Sequence, residues 1–153
     1  MKSILRLGML LSVLAIAGCT SFSGIKPLHP AVGNPNFPPL VKSLQPTLEW
    51  EASPNATRYD LIIYEGIKVS SFLAGTKRSV GREIYYKEGI KGTSFKVEEK
   101  LQPGRAYYWS VRARHGDTVS PWSVYDYTLF LGTGYVAFHN EPFLFETPEE
   151  GEK

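Results

Sequence analysis

Apolar and polar residues alternate with a period of two along much of the chain, and this pattern predicts β-strands. The clearest case is the stretch 106–114, which follows the turn signal Pro103-Gly104. We expect a central strand here, with one face against a hydrophobic core and the other in water. The residues of the inward face are Tyr107, Trp109, Val111 and Ala113.

Eight further segments carry the same signature of short apolar runs between turn residues, and no stretch favours a helical bundle. We expect a first strand near residues 41–44 and two short edge strands around 69–74 and 83–87. The remaining predicted strands lie at 46–50, 58–65, 94–98, 124–131 and 135–139, the last two joined by a turn at 132–134.

The spacing of Leu101, Pro103, Tyr107, Trp109, Val111 and Ala113 resembles the sixth strand of a fibronectin type III domain. The opening Pro-Thr-Leu-x-Trp of 46–50 and Asn-Ala-Thr-x-Tyr-x-Leu of 55–61 are also similar to that family. The resemblance implies an all-β, fibronectin type III-like β-sandwich of about seven strands over 40–147. It also implies that the Tyr107 hydroxyl bonds back to the upstream chain. The expected structural residues are Trp50, Tyr59, Leu101, Tyr107 and Trp109.

The end of the domain departs from the family pattern, because the gap between Trp122-Ser123 and Phe145-Glu146-Thr147 is too long. We therefore predict an extra C-terminal hairpin or a split last strand. Its aromatic side chains either form an exposed binding surface or cover the open edge of the sandwich, and the sequence leaves both alternatives open. The candidate binding residues are Tyr125, Tyr127, Phe130, Tyr135 and Phe138, together with Trp122.

The first 18 residues have the layout of a secretory signal peptide, with Lys2 and Arg6 before a largely apolar run at 7–17. That run is shorter than the about 20 residues needed to span a bilayer. Its Ile-Ala-Gly-Cys end resembles the lipobox of bacterial lipoproteins, which implies cleavage between Gly18 and Cys19 and acylation of Cys19. An ordinary A-x-A cleavage site is the alternative. Because Cys19 is the only cysteine of the chain, we favour lipidation.

The resemblance to lipoproteins also bears on location, since Thr20 rather than aspartate follows the cysteine. In a Gram-negative source this implies an outer-membrane lipoprotein held in the cell envelope by its N-terminal lipid. Residues 19–39 are rich in proline and lack an apolar period, so we expect a disordered tether there. Residues 148–153 form an acidic tail.

Charge makes nucleic acid an unsuitable partner. Loss of residues 1–18 removes Lys2 and Arg6 from the 17 basic residues, which leaves 15 basic and 15 acidic residues and a net charge near zero. The segment 66–92 is locally basic, with six lysines and arginines against two glutamates. These charges either protect edge strands from unwanted pairing or contact anionic lipid or polysaccharide.

We find no sequence signature of catalysis, of a cofactor or of a metal site. Gly132-x-Gly134 imitates a dinucleotide fingerprint, but no helix follows it. His29, His115 and His139 lack the close spacing of metal ligands. We therefore expect a non-catalytic, membrane-anchored module that binds or scaffolds an envelope protein. The alternatives are a glycan- or peptidoglycan-binding module and an accessory subunit of an envelope enzyme.

Overall fold

The computed structural model describes residues 18–35, 37–71, 75–131 and 134–151, and all regular elements in these ranges are β-strands. The predicted all-β fold is confirmed. The predicted signal sequence lies outside the described residues except for Gly18. The strands are β1 Gly18–Ser23, β2 Pro27–His29, β3 Thr47–Trp50, β4 Arg58–Ser71, β5 Gly75–Ile90, β6 Ser94–Lys96, β7 Ala106–His115, β8 Thr118–Val119, β9 Val124–Leu131, β10 Gly134–Glu141 and β11 Phe143–Glu146.

Two antiparallel sheets enclose the core. One has the strand order β2-β3-β6, and the other has the order β11-β7-β4-β5 with β8 paired to β7. The sheets meet at Trp50 of β3 and Trp109 of β7, whose ring centroids are 6.5 Å apart. Both side chains are fully buried, as the alternation of their strands predicts. The architecture is therefore a β-sandwich with a third, smaller sheet described below.

The inward face of β7 is as predicted, since Tyr107, Trp109, Val111 and Ala113 are all buried. Its other face differs from the prediction, because Tyr108 and Ser110 are buried as well. The Ser110 hydroxyl donates to the Ser123 carbonyl at 2.6 Å, so the chain leading into β9 covers this part of the strand. Burial, together with the nearby Glu141 carboxylate, raises the pKa of Tyr108 to about 12.

The corner before β7 contains the hydrogen bond that the family resemblance implies. The backbone N–H of Gln102 donates to the Tyr107 hydroxyl oxygen at 2.9 Å, and Leu101 is buried beside it. A second bond of the same kind joins the Ser53 N–H to the Tyr59 hydroxyl oxygen at 3.0 Å. Each tyrosine hydroxyl thus holds the backbone of a nearby loop against the strand that carries the tyrosine.

The predicted short edge strands at 69–74 and 83–87 are wrong, because residues 69–71 and 83–87 belong to one long hairpin of β4 and β5, while residues 72–74 lie outside the described ranges. β4 pairs with β7 only from Arg58 to Glu65, and beyond Glu65 it pairs with β5 alone. Irregular pairing between Ile63 and Gly66 marks the point of departure. We call residues 66–71 and 75–80 the ribbon. At its root a Cβ on Gly66 would lie 2.7 Å from the Ala106 carbonyl oxygen, so only glycine fits.

Both alternatives predicted for the end of the domain are present, an extra hairpin and a split last strand. The Ser123 N–H donates to the Val111 carbonyl at 3.0 Å, after which β9 leaves the main sheet and β10 returns. After Pro142 the chain rejoins β7 as β11, with Phe143 opposite Trp109. The hairpin is therefore an insertion into the strand at the edge of the main sheet.

The disordered tether predicted at 19–39 is wrong for its first half. β1 pairs antiparallel with β9 and completes a third sheet of order β1-β9-β10, while β2 pairs with β3. Between them Ile25 is buried, and its N–H donates to the Ser123 hydroxyl at 2.7 Å. The segment lacks an apolar period of its own, but β9, about a hundred residues away, and β3, about twenty residues away, satisfy its backbone groups.

Tyr107→Phe should lower the free energy of unfolding by about 1 kcal/mol or more, because it leaves the Gln102 N–H without its acceptor. Urea denaturation followed by tryptophan fluorescence measures the loss. Tyr135→Phe removes a hydroxyl from a side chain that is 70% exposed and serves as the control. Equal stability of the two variants would show that the corner bond contributes nothing.

Candidate membrane-facing and partner-binding surfaces

The aromatic residues of the inserted hairpin divide between core and surface. Tyr125 and Tyr127 are buried at 2% and 7% exposure, and Phe138 is partly buried against the core, so their prediction as binding residues needs correction. They pack inward because the hairpin covers the edge of the sandwich, where the Tyr125 ring lies 6.1 Å from the ring of Phe143. Phe130 and Tyr135 are 49% and 70% exposed.

Strand alternation explains this division and gives the β1-β9-β10 sheet an outer face. Residues directly opposite each other in paired strands share a face. On the inner face Phe22 is opposite Tyr125, and its ring is 6.4 Å from that of Phe143. The outer face follows from the register. It carries Cys19 opposite Thr128, Thr128 opposite Ala137, Phe130 opposite Tyr135, and Ser21 opposite Asp126.

Cys19 lies on this outer face close to the end of the hairpin. It is exposed, and its partner Thr128 is three residues before the end of β9. At about 3.3 Å per residue, the hairpin extends roughly 10 Å beyond the level of Cys19. Phe130 is the diagonal neighbour of Cys19 across the β1-β9 pair, at a typical separation of roughly 7–8 Å.

Trp122, the sixth candidate binding residue, is held by its neighbours on the outer face of the main sheet. The Arg112 guanidinium lies 4.4 Å from the centre of its ring, and the ring of Tyr86 meets it edge-on at 6.4 Å. The Trp122 side chain is half-buried between these two groups. A cation–π contact and an edge contact on one ring indicate a packing role.

Sequence reasoning missed the carboxylate at the centre of this face, Asp60, which is fully buried. It accepts hydrogen bonds from Arg112 Nε at 2.9 Å, from Arg114 Nε at 2.5 Å and from the Gly89 N–H at 3.1 Å. The period of two placed both arginines on a water-facing side. The sequence did contain a signal for this network, because an acidic residue lies between Tyr59 and Leu61 in an apolar strand. A charge that is buried there requires a partner.

The surroundings of Asp60 set its ionisation. Burial alone raises the pKa of the carboxyl, but the hydrogen bonds from Arg114, the Gly89 N–H and Arg112 outweigh that effect. Together with the positive charge of Arg114 they hold its pKa below the ordinary value of 3.8. Arg114 also pairs with the exposed Glu88 at 2.9 Å. The network ties β4, β5 and β7 together.

The ribbon carries the other exposed apolar side chains of interest. Ile67 and Val69 are 41% and 39% exposed, with Ser79 and Lys77 opposite them on the same face. On the reverse face Lys68 is opposite Arg78. Arg78 forms an ion pair with Glu146 of β11, which offsets the repulsion between these two cations.

The basic segment 66–92 lies largely on β5, which is the last strand of its sheet. Besides the Arg78–Glu146 pair, Arg82 approaches Glu65 to 3.3 Å and Lys87 approaches Glu98 to 2.9 Å. Internal pairing of these cations reduces the field available to an anionic ligand. This favours the edge-protection alternative over a contact with anionic lipid or polysaccharide.

Within the ranges that the structure describes, there is no group of three or more His, Cys, Asp and Glu residues arranged to hold a metal ion. His29 lies on β2 and His115 at the end of β7, while His139 on β10 is 3.5 Å from the Asp126 carboxylate. The same described ranges contain no helix long and apolar enough to cross a bilayer.

Comparison with protein-family models, with curated proteins and with solved structures finds no match to this chain. The class that the coordinates define is an all-β, antiparallel sandwich with an inserted hairpin. Its function is therefore argued from its surfaces.

Asp60→Asn should destabilise the fold by about 3 kcal/mol at neutral pH, because it removes the charge that pairs with Arg112 and Arg114. It should also flatten the acid limb of the stability curve. The folded pKa of Asp60 is lowered, so its stabilisation is present above the unfolded value of 3.8 and is lost as the pH falls through the folded pKa.

The measurement for this variant is the free energy of unfolding from pH 7 down to pH 2. Asp117→Asn, which changes a carboxylate in an exposed turn, is the control. If Asp60→Asn kept the wild-type loss of stability below pH 4, Asp60 would not be the group that titrates.

Proposed function

We propose that this protein is a lipid-anchored module of the bacterial cell envelope, held at the outer membrane, that binds or scaffolds another envelope protein without catalysis. On this proposal the sandwich is a fibronectin type III-like domain. One observation carries the proposal of an anchor. The only cysteine of the chain is exposed at the start of β1, directly after a positively charged and then apolar segment.

The surroundings of Cys19 suit a site of modification. The side chain is on the outer face of its sheet, and the backbone is held by the pairing of Cys19 with Thr128 and Thr20 with Tyr127. Acyl chains attached there would leave the protein without disturbing the core. More than one chain gives stable rather than marginal membrane attachment.

The ribbon supports the part of the proposal that concerns a protein partner. Past Glu65 it pairs with no other strand, and it presents Ile67 and Val69 beside Lys77. Exposed apolar side chains on a projecting pair of strands offer both contact area and a free strand edge. A binding module needs these two features more than it needs a cavity.

Glycan or peptidoglycan recognition is the alternative, and one observation favours it. Phe130 and Tyr135 form an exposed cross-strand pair, and the Asp126 carboxylate lies on the same outer face. Sugars stack on aromatic rings and bond to such carboxylates. The crosslinking experiment below separates the two functions, because probes on the ribbon and on the hairpin recover either a protein or cell-wall material.

Cys19→Ser should move the protein from the membrane fraction to the soluble fraction of cells that express the full chain. Serine is nearly isosteric and leaves the β1-β9 pairing intact, so the change removes only the acylated atom. Fractionation followed by immunoblotting measures the shift, and Thr20→Ser is the matched control. Retention of Cys19→Ser in the membrane would contradict the lipid anchor.

A photo-crosslinking amino acid at Val69 should capture a defined envelope protein in cells, whereas the same probe at Val119 should not. The two valines are 39% and 38% exposed, but Val69 lies on the ribbon and Val119 on β8. Mass spectrometry of the adducts measures the outcome. Equal adducts at both positions would show that the ribbon has no partner, and cell-wall fragments captured by the same probe at Tyr135 would favour the glycan alternative.

A further inference from the structure

We infer that the end of the inserted hairpin sits in the membrane interface, with Phe130 and Tyr135 against the lipid headgroups beside the acyl chains of Cys19. The inference rests on the proposed lipid anchor and adds to it a second, non-covalent membrane contact. It assigns the exposed aromatic pair to the bilayer, whereas the ribbon serves the protein partner.

The aromatic pair and the cysteine share one face of the β1-β9-β10 sheet. Cys19 is opposite Thr128, and Phe130 is two residues further along β9, so both side chains point to the outer side of the sheet. Tyr135 is directly opposite Phe130 and points the same way. Chains attached to Sγ of Cys19 therefore emerge from the side on which the two rings are exposed.

The β1-β9 pairing holds the hairpin close to the proposed point of attachment, Cys19. Cleavage before Cys19 makes this residue the first of the mature chain, so the lipid is attached within β1 itself. β1 runs from Cys19 towards the core, and its residues 19–23 are all paired with β9. The end of the hairpin lies roughly 10 Å past Cys19 along β9. At that distance the acyl chains on Cys19 hold it next to the bilayer.

The outer face near the end of the hairpin is uncharged. The stretches 18–23, 124–131 and 134–141 contain no lysine or arginine, and their two acidic residues, Asp126 and Glu141, lie away from the turn. Between Cys19 and the end of the hairpin the outer face carries Thr128, Ala137, Phe130 and Tyr135. Uncharged aromatic surface suits the headgroup region, where tyrosine is enriched.

The contact can be tested with a fluorescent reporter in the full-length gene product, purified from membranes and reconstituted into phosphatidylethanolamine–phosphatidylglycerol vesicles. Tyr135→Trp places an indole at the end of the hairpin, and Phe130→Trp is a second reporter should the first fail to fold. Val119→Trp on β8 is the matched control. The wild-type signal of Trp50, Trp109 and Trp122 is subtracted.

Brominated lipids in the vesicles should lower the reporter emission of Tyr135→Trp by about twofold, as expected for a ring at interface depth, and leave that of Val119→Trp unchanged. Protein that floats with the vesicles but shows no quenching at position 135 overturns this inference alone. A blue-shifted but unquenched reporter does the same, because it reveals a protein surface as the occupant. Failure to float overturns the lipid anchor and this inference with it.

Discussion

The arrangement of the sheets depends on the ring contacts of Trp109. Its ring meets Trp50 of the facing sheet at 6.5 Å and Phe143 of the split strand at 5.1 Å. Phe143 in turn contacts Phe22 of β1 and Tyr125 of β9. One continuous aromatic cluster therefore joins the sandwich, the returning strand and the N-terminal sheet. The edge strand tolerates the inserted hairpin because β11, the segment that returns after it, packs Phe143 into this cluster.

The sequence predicted the structure correctly wherever the alternation of apolar and polar residues within a strand matches their burial in the fold. In β7 the inward residues, the turn before them and the tyrosine corner all follow from positions within one short stretch. The hairpin was predictable for a different reason, since the long gap before Phe145 had to be occupied by two alternating segments around a glycine turn. Five aromatic residues of the predicted hairpin were candidates for either a surface or an edge cover, but only pairing register separates Phe130 and Tyr135 from the three that pack inward.

What could not be predicted depends on contacts between distant parts of the chain. Nothing in residues 18–29 indicates a strand until β9 and β3 supply the opposite edges. The glycine at 66 marked an end to local alternation, whereas in three dimensions it lets β4 pass over Ala106 and continue. Asp60 meets its two arginines from more than fifty residues away, so a charge that local patterning assigns to water is the centre of a buried network.

The pairing of β1 with β9 also determines how the molecule carries a mechanical load. If the chain is held at its first strand while the rest of the domain is pulled away, the force runs along β1, and all six of its register pairs resist sliding together. Strands loaded in this way must break their bonds at once, whereas strands pulled apart from one end lose them singly. The inward ring of Phe22 adds a side-chain lock to the sliding strand. A load applied at the N-terminal strand would therefore meet the combined resistance of its pairs with β9.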